Sequence, residues 1–408
     1  MYMLQRFFGK RRVYMDFASS SPVHRDVIRA MNIALRSFGN PSAPHSEGRK
    51  ARELLEDART SVARSLAVRP ESIYFTGSGT ESNNLAVYGV VEALVKRGAN
   101  YQDLHIISTS FEHPSLLEPL RHLERKGVSV TYLDPTPDGV VTANMVQKHV
   151  TEKTILVSIV AVQSEIGAIQ PLKEIAHTLE PFRSKRTQKA QKLIPEAPFP
   201  VFHTDASQGS LFVNLSPDRL GVDMASYDAQ KIMGPKGVGV LYKHSAVSLA
   251  PFIRGGSQER KLRPGTPNVY GAVGMARALE LAVKNRKTVT PQVERVRDYA
   301  IQELQKRIPD VVVNGGMKKR IANNIHISIP GTDGDYLAVL MDSHGVSISP
   351  RSACIASGEL SHSVQSLGKS DEEARGTIRF SFAPWVSKSD VDFAIKALER
   401  SLAVVDVK

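Results

Sequence analysis

Cysteine is nearly missing from this sequence: Cys354 is the one thiol in 408 residues. That excludes an intrachain disulfide and any zinc site built from several cysteines, and it points to a reducing interior. No apolar run approaches the roughly 18 to 20 residues that span a bilayer. The N-terminal MYMLQRFFGKRR lacks the apolar core, roughly 7 to 15 residues long, of a secretory signal, so a cytoplasmic location is expected. Aromatic residues make up 6% of the chain and no recognised nucleic-acid-binding module accompanies them, so nucleic acid is not an expected partner. There is neither an internal repeat nor a low-complexity tract.

Acidic residues are absent from two stretches, 1–15 and 183–192. Residues 1–15 carry Arg6, Lys10, Arg11 and Arg12 unopposed. The segment PFRSKRTQKAQKLIPEAPFP (181–200) holds Arg183, Lys185, Arg186, Lys189 and Lys192 with no acid between them. Together these nine cations account for most of the formal net charge of +12. The second segment reads as a polar, proline-bounded surface insertion, either a solvated loop or a docking site for an acidic partner. What remains is an ordinary globular composition, 41% hydrophobic and 23% charged.

Short β-rich runs recur at 72–76, 104–109, 128–133, 154–161, 200–204, 222–227 and 237–242. Helical periodicities lie between most of them, as in Leu54, Ala58, Val62, Ala63 and Leu66. Strand alternating with helix predicts an α/β fold with a mostly parallel sheet covered on both faces. Beyond about residue 270 the pattern changes to a long helix (271–308), short strands around 323–329 and 346–349, and a helical C-terminus after Ser387. The expected division is a large α/β domain over 16–270 and a smaller α+β domain over 271–408 on which residues 1–15 pack.

Two constellations could carry chemistry. Gly77-Ser78-Gly79-Thr80-Glu81 follows the run SIYFT and opens a helix, which gathers free backbone N–H groups and a positive dipole end where a phosphate could sit. The pattern matches neither common phosphate-loop signature, and a glycine turn alone has many structural uses. Gly234-Pro235-Lys236-Gly237 suits a tight turn better. The second constellation is HTDASQ (203–208) at a strand end, with Lys231 after the next strand. In doubly wound folds ligands collect beyond the C-terminal ends of strands. An aspartate there can pair with a protonated ring nitrogen or cap a helix, and a lysine can form a Schiff base or simply face solvent.

In their order and spacing, FGNPSAPHSEGRKA (38–51), FTGSGTESNNLAV (75–87), EHPSLL (112–117), HTDASQ (203–208), QKIMGPKGVG (230–239), RPGTPNV (263–269), RSAC (351–354) and IRFSF (378–382) resemble the class V pyridoxal-phosphate (PLP) enzymes. The likeness is greatest to cysteine desulfurases of the NifS/IscS type and covers about residues 13–400. The resemblance implies PLP-dependent transferase fold type I. It implies that Lys231 binds PLP as a Schiff base, that Asp205 pairs with the pyridine nitrogen, that His113 stacks on the ring and shuttles protons, and that Gln208 approaches the ring hydroxyl. Gly79 and Thr80 would meet the phosphate. Thr266 would reach the phosphate of a partner subunit's cofactor, which makes a homodimer the expected unit. Arg379 would clamp the carboxylate of the substrate, L-cysteine, and Cys354, on a mobile exposed loop, would take its sulfur as a persulfide for an acceptor protein such as an iron–sulfur scaffold or a tRNA-thiolation carrier. The 25-residue separation from Cys354 to Arg379 resembles the subgroup with a long cysteine loop.

The chain departs from that pattern in two places. Asp228-Ala229-Gln230 stands where the family usually shows Ser-Gly-His before the lysine, which puts Asp228 and Gln230 at the phosphate, and Ser164 replaces an asparagine at the ring hydroxyl and substrate carboxylate. Other class V reactions, such as transamination or selenocysteine cleavage, and a non-catalytic scaffold that keeps the fold, are the alternative readings.

Overall fold

The computed structural model describes residues 6–7, 10–185, 189–351 and 359–405. Its centre is a seven-stranded sheet in the order Ile73–Thr76, Gly239–Lys243, Met224–Asp228, Val201–Asp205, Thr154–Ser158, His105–Thr109, Ser129–Leu133. Gly239–Lys243 runs antiparallel to both of its neighbours and the other pairings are parallel. Every expected strand of this half is present. They read clearly because helices cover both faces: each residue of Thr154–Ser158, Val201–Asp205 and Met224–Asp228 is buried, so the runs are continuously apolar or internally hydrogen-bonded.

The parallel strands end on one edge. Gly239 pairs with both Thr76 and Asp228, and Asp205 pairs with Ser226, which sets the C-termini of these strands side by side. The turn after Thr76 feeds the helix Gly79–Val95, capped by Ser78, whose Oγ accepts from the Glu81 N–H. His113 caps the helix Pro114–Arg125 in the same way, accepting from the Ser115 N–H. Helix starts are therefore aimed at this edge, where their unpaired amides collect.

The helix Val269–Arg307 runs unbroken for 39 residues, about 58 Å at 1.5 Å per residue. It begins against Arg25–Ala34 and Ser46–Leu66 and reaches the second half of the molecule. There Val312–Val313, Asn324–Ser328 and Thr377–Ser381 form an antiparallel sheet. The N-terminal segment joins this half: Val13–Tyr14 pairs in parallel with Val346–Ser347, and Arg11 bonds Asp390 at 2.7 Å. Both halves contribute to one contiguous apolar core, from Val27 and Val62 through Met275 to Ile378 and Leu398.

Two local expectations are corrected. The basic stretch is not simply a surface insertion. The helix Leu172–Lys185 runs into it, Arg183 donates to Asp223 at 2.6 Å and to the Pro200 carbonyl, and Ala190 and Ile194 are buried. The segment before Arg379 is likewise not a long open loop over its described part: His362–Gln365 and Asp371–Arg375 are helices, and Ser361 and Ser363 are buried. No helix among the described residues is long and apolar enough to cross a membrane.

Candidate active site

At the strand edge lies a cavity of about 110 Å³ into which the sheet, two helix starts, the N-terminal strap and the strand of the second half all reach. Lys231 stands on the turn Ala229–Ile232 that follows Met224–Asp228. Its Nζ donates to the carbonyls of Ala18 and Ser19, both at 2.7 Å. Gln208 also reaches this strap, donating from Nε2 to the Ala18 carbonyl at 2.9 Å.

Asp205 is 6% exposed and held from two sides: the Asn83 Nδ2 donates to Oδ2 at 2.8 Å and the Ser207 N–H to Oδ1 at 2.9 Å. The same Asn83 Nδ2 donates to Ser115 Oγ, which lies 2.8 Å from His113 Nδ1. Because the Ser115 N–H donates to Nδ1, a neutral His113 ring keeps its hydrogen on Nε2. One polar chain therefore links Asp205 to His113. Behind it, burial pushes His203 down to about 4 while Ser158 and Ser226 satisfy both ring nitrogens. Glu112, next to His113, is buried, and desolvation drives its carboxyl up to about 8, opposed by hydrogen bonds from the Val160 N–H and Thr109.

Arg379 enters from Thr377–Ser381 and is 1% exposed. Its Nη1 donates to the Ser164 carbonyl at 2.9 Å, and its Nη2 donates to Asp16 and Ser19 Oγ, each at 3.0 Å. Ser164 thus contacts the arginine through its backbone. Gly79 and Thr80 open their helix at the far end of the cavity, where the Gly79 N–H donates to Asp228 Oδ2 at 3.2 Å. A Cβ at residue 79 would lie 2.6 Å from Ser207 Oγ, so a side chain there would have to displace that hydroxyl. Gln230 donates to Asp228 from its backbone N–H and from Nε2.

Lys231, Asp205, His113, Gln208, Gly79, Thr80, Asp228, Gln230, Ser164 and Arg379 all line this one cavity. Thr266 does not; it is exposed on a stretch that Arg263 anchors by pairing with Glu81 at 2.9 Å. Cys354 lies outside the described residues. Sequence reasoning missed Asn83, Asp16 and Ser19. Asn83 falls inside a quoted motif, but only the fold brings it to Asp205, and Asp16 carries no local signal of a partner 363 positions away.

Residues 13–393 match the family model described as Aminotransferase class-V. The chain belongs to the aminotransferase class-V family. A cysteine desulfurase IscS from Dictyoglomus turgidum is 38% identical over 393 residues, covering 96% of this chain and 94% of that protein. A solved NifS-like protein superposes with a TM-score of 0.84 at 32% identity, covering 96% of this chain and all of that one. SspA, solved in complex with cysteine, superposes with a TM-score of 0.72 at 30% identity over 92% of this chain and 99% of SspA.

Class-V enzymes depend on PLP, and the cavity fits that group at two of its three ends. A buried carboxylate suits a protonated ring nitrogen, and the amine of Lys231 suits the aldehyde. Asn83 Oδ1 is buried without a partner beside them, as an atom at a ligand edge would be. The phosphate end has the helix start and the glycine cradle, with the Asp228 carboxylate already against it.

Proposed function

We propose that this class-V protein is a PLP-dependent cysteine desulfurase that converts L-cysteine to L-alanine and retains the sulfur as a persulfide on Cys354. The observation that carries this reading is the convergence of Lys231, Asp205, His113 and Arg379 on one cavity. PLP, when bound, supplies an electron sink that acidifies the α-hydrogen of an amino acid. Asp205, fixed by Asn83 and Ser207, holds a proton at the ring nitrogen. Lys231 would hold the cofactor through its amine and would then serve as the amine base for the α-hydrogen. Arg379, oriented by Asp16 and the Ser164 carbonyl, pairs with the substrate carboxylate. His113, its Nδ1 engaged by the Ser115 N–H, has Nε2 available to pass a proton. The Cys354 thiolate attacks the substrate sulfur: an S–S bond forms as the Cβ–S bond breaks, the bonding pair goes to carbon, and protonation completes alanine.

A homodimer is the proposed unit. Phe38 is 85% exposed and Ile33 63%, with Phe252, Ile253 and Tyr270 also uncovered, and Thr266 stands outside its own chain's cavity. A second chain would cover exposed apolar side chains of this kind. The persulfide would pass to an acceptor protein, an iron–sulfur scaffold or a thiolation carrier, in the reducing cytoplasm that a lone catalytic thiol suits. Borohydride trapping tests the cofactor reading: PLP should be fixed to Lys231, and Lys231→Ala should lose both the adduct and alanine formation. An adduct elsewhere, or undiminished alanine from Lys231→Ala, would contradict it.

A further inference from the structure

The phosphate end of the cavity is already occupied by an anion belonging to the chain. Asp228 Oδ2 takes the first amide of the helix Gly79–Val95 at 3.2 Å, where the positive end of the helix dipole would meet a phosphate. Its carboxylate also walls the cradle: a Cβ built on Gly79 would lie 3.2 Å from Asp228 Cβ and 3.3 Å from Oδ2. Gln230, the other polar side chain of this turn facing the cradle, is spent on the same carboxylate through its backbone N–H at 3.1 Å and Nε2 at 3.3 Å. The turn therefore contributes a negative charge at this end, and the donor it has left is directed at that charge. Ser207 Oγ is the neutral group against Gly79, Lys231 and Asp205 are charges lining the same cavity, and the Glu81–Arg263 pair stands beside Gly77 at the same helix start.

We propose that Asp228 acts as a tethered stand-in for the cofactor phosphate, so that this protein discriminates only weakly between PLP and unphosphorylated pyridoxal. This rests on the PLP reading above and deepens it. A phosphate entering the cradle must displace the carboxylate from the Gly79 amide or sit against it as a like charge, whereas pyridoxal meets neither obstacle. The aldehyde and ring contacts are common to both ligands, so the ratio of their dissociation constants isolates the phosphate end.

The test measures that ratio in the native chain, in Asp228→Asn, which keeps the shape and an acceptor oxygen for Gly79, and in Asp228→Ser, which opens the cradle. Binding is followed by the absorbance of the Lys231 adduct, and borohydride trapping with mass spectrometry verifies the attachment. The preference for PLP over pyridoxal is expected to rise at least about tenfold in both variants. Inorganic phosphate is expected to raise the melting temperature of unliganded Asp228→Ser and leave that of the native chain unmoved. An unchanged preference in both variants, with Lys231 adducts forming normally, would overturn the proposal alone. If neither aldehyde forms an adduct at Lys231 in any of the three proteins, the PLP reading falls and the proposal falls with it.

Discussion

Arg379 and Asp16 meet at 3.0 Å in the wall of the cavity, 363 positions apart in the chain. The pair sets what each residue can do. Asp16, Ser19 and the Ser164 carbonyl fix the guanidinium plane, so on the proposed reading a substrate carboxylate would meet a preoriented cation. Arg379→Lys is expected to raise KM for L-cysteine about 10- to 100-fold with a smaller change in kcat, since an ammonium cannot reproduce the planar fork that holds Asp16, Ser19 and the Ser164 carbonyl. Arg379→Ala additionally strands Asp16, which keeps 19% side-chain exposure, so its loss of stability is expected at about 2 to 4 kcal/mol, toward the low end of the effect for fully buried pairs. Steady-state kinetics and urea unfolding separate the two effects. An unchanged KM in Arg379→Lys would remove this arginine from the substrate site.

Glu112 makes stability fall as pH rises from about 4.5 to about 8. Desolvation is the main cause of its raised pKa, with the Asp205 charge adding to it, and the folded value is about 8 against an ordinary 4.5. Between those two values the folded state keeps a proton that the unfolded chain has released, so stability declines as pH rises through this window. Glu112→Gln, which cannot ionise, is expected to gain on the native protein progressively from pH 4.5 to 8, by an amount on the order of a few kcal/mol. Melting temperatures at both ends of the window check this, and parallel curves for the two proteins would refute it.

The acid side has the opposite sign. Burial holds His203 at about 4 and His326 at about 3, the latter also repelled by Arg379 and Arg320. Unfolded, both would take up protons near 6.5, so below that pH the unfolded state binds more protons and stability drops as pH falls. Replacing His326 with Gln is expected to flatten the descent of melting temperature between about pH 6.5 and 4 relative to the native chain. A slope as steep as the native one would show that His326 takes no part.

The dimer reading makes its own demand. Phe38→Asp combined with Ile33→Asp places two charges on an apolar surface that is 85% and 63% exposed at these positions, without touching the core. The variant is expected to sediment as a monomer and to bind PLP more weakly, because on the dimer reading the contact proposed for Thr266 of a second chain would then be missing. A monomeric native protein, or a variant that stays dimeric with unchanged affinity, would contradict this.

The strands of the seven-stranded sheet were legible because burial on both faces leaves continuous apolar runs, as in Thr154–Ser158. Thr377–Ser381 was not read as a strand, although its residues were noted, because Arg379 interrupts the apolar pattern; Asp16 and Ser19 make its burial tolerable. The same holds at 181–185, where Pro181 and the cations suggest a loop, whereas Asp223 and the Pro200 carbonyl bind Arg183 and the helix continues. Of the site residues carried by motifs, Lys231, Asp205, His113, Gln208, Gly79, Thr80, Gln230 and Arg379 line one cavity, whereas Thr266 does not and Cys354 lies outside the described residues. Those defined by a partner far along the chain, Asn83 to Asp205 and Asp16 to Arg379, required the fold.

The destination of the substrate sulfur decides between a desulfurase and the other class-V reactions. After incubation with PLP and L-cysteine, mass spectrometry of the peptide bearing Cys354 should find one added sulfur atom, removable by dithiothreitol and matched by alanine formed. The Lys231→Ala and Cys354→Ala proteins should give neither sulfide nor alanine. Unmodified Cys354 in the native protein, with Cys354→Ala turning over L-cysteine at the native rate, would contradict it.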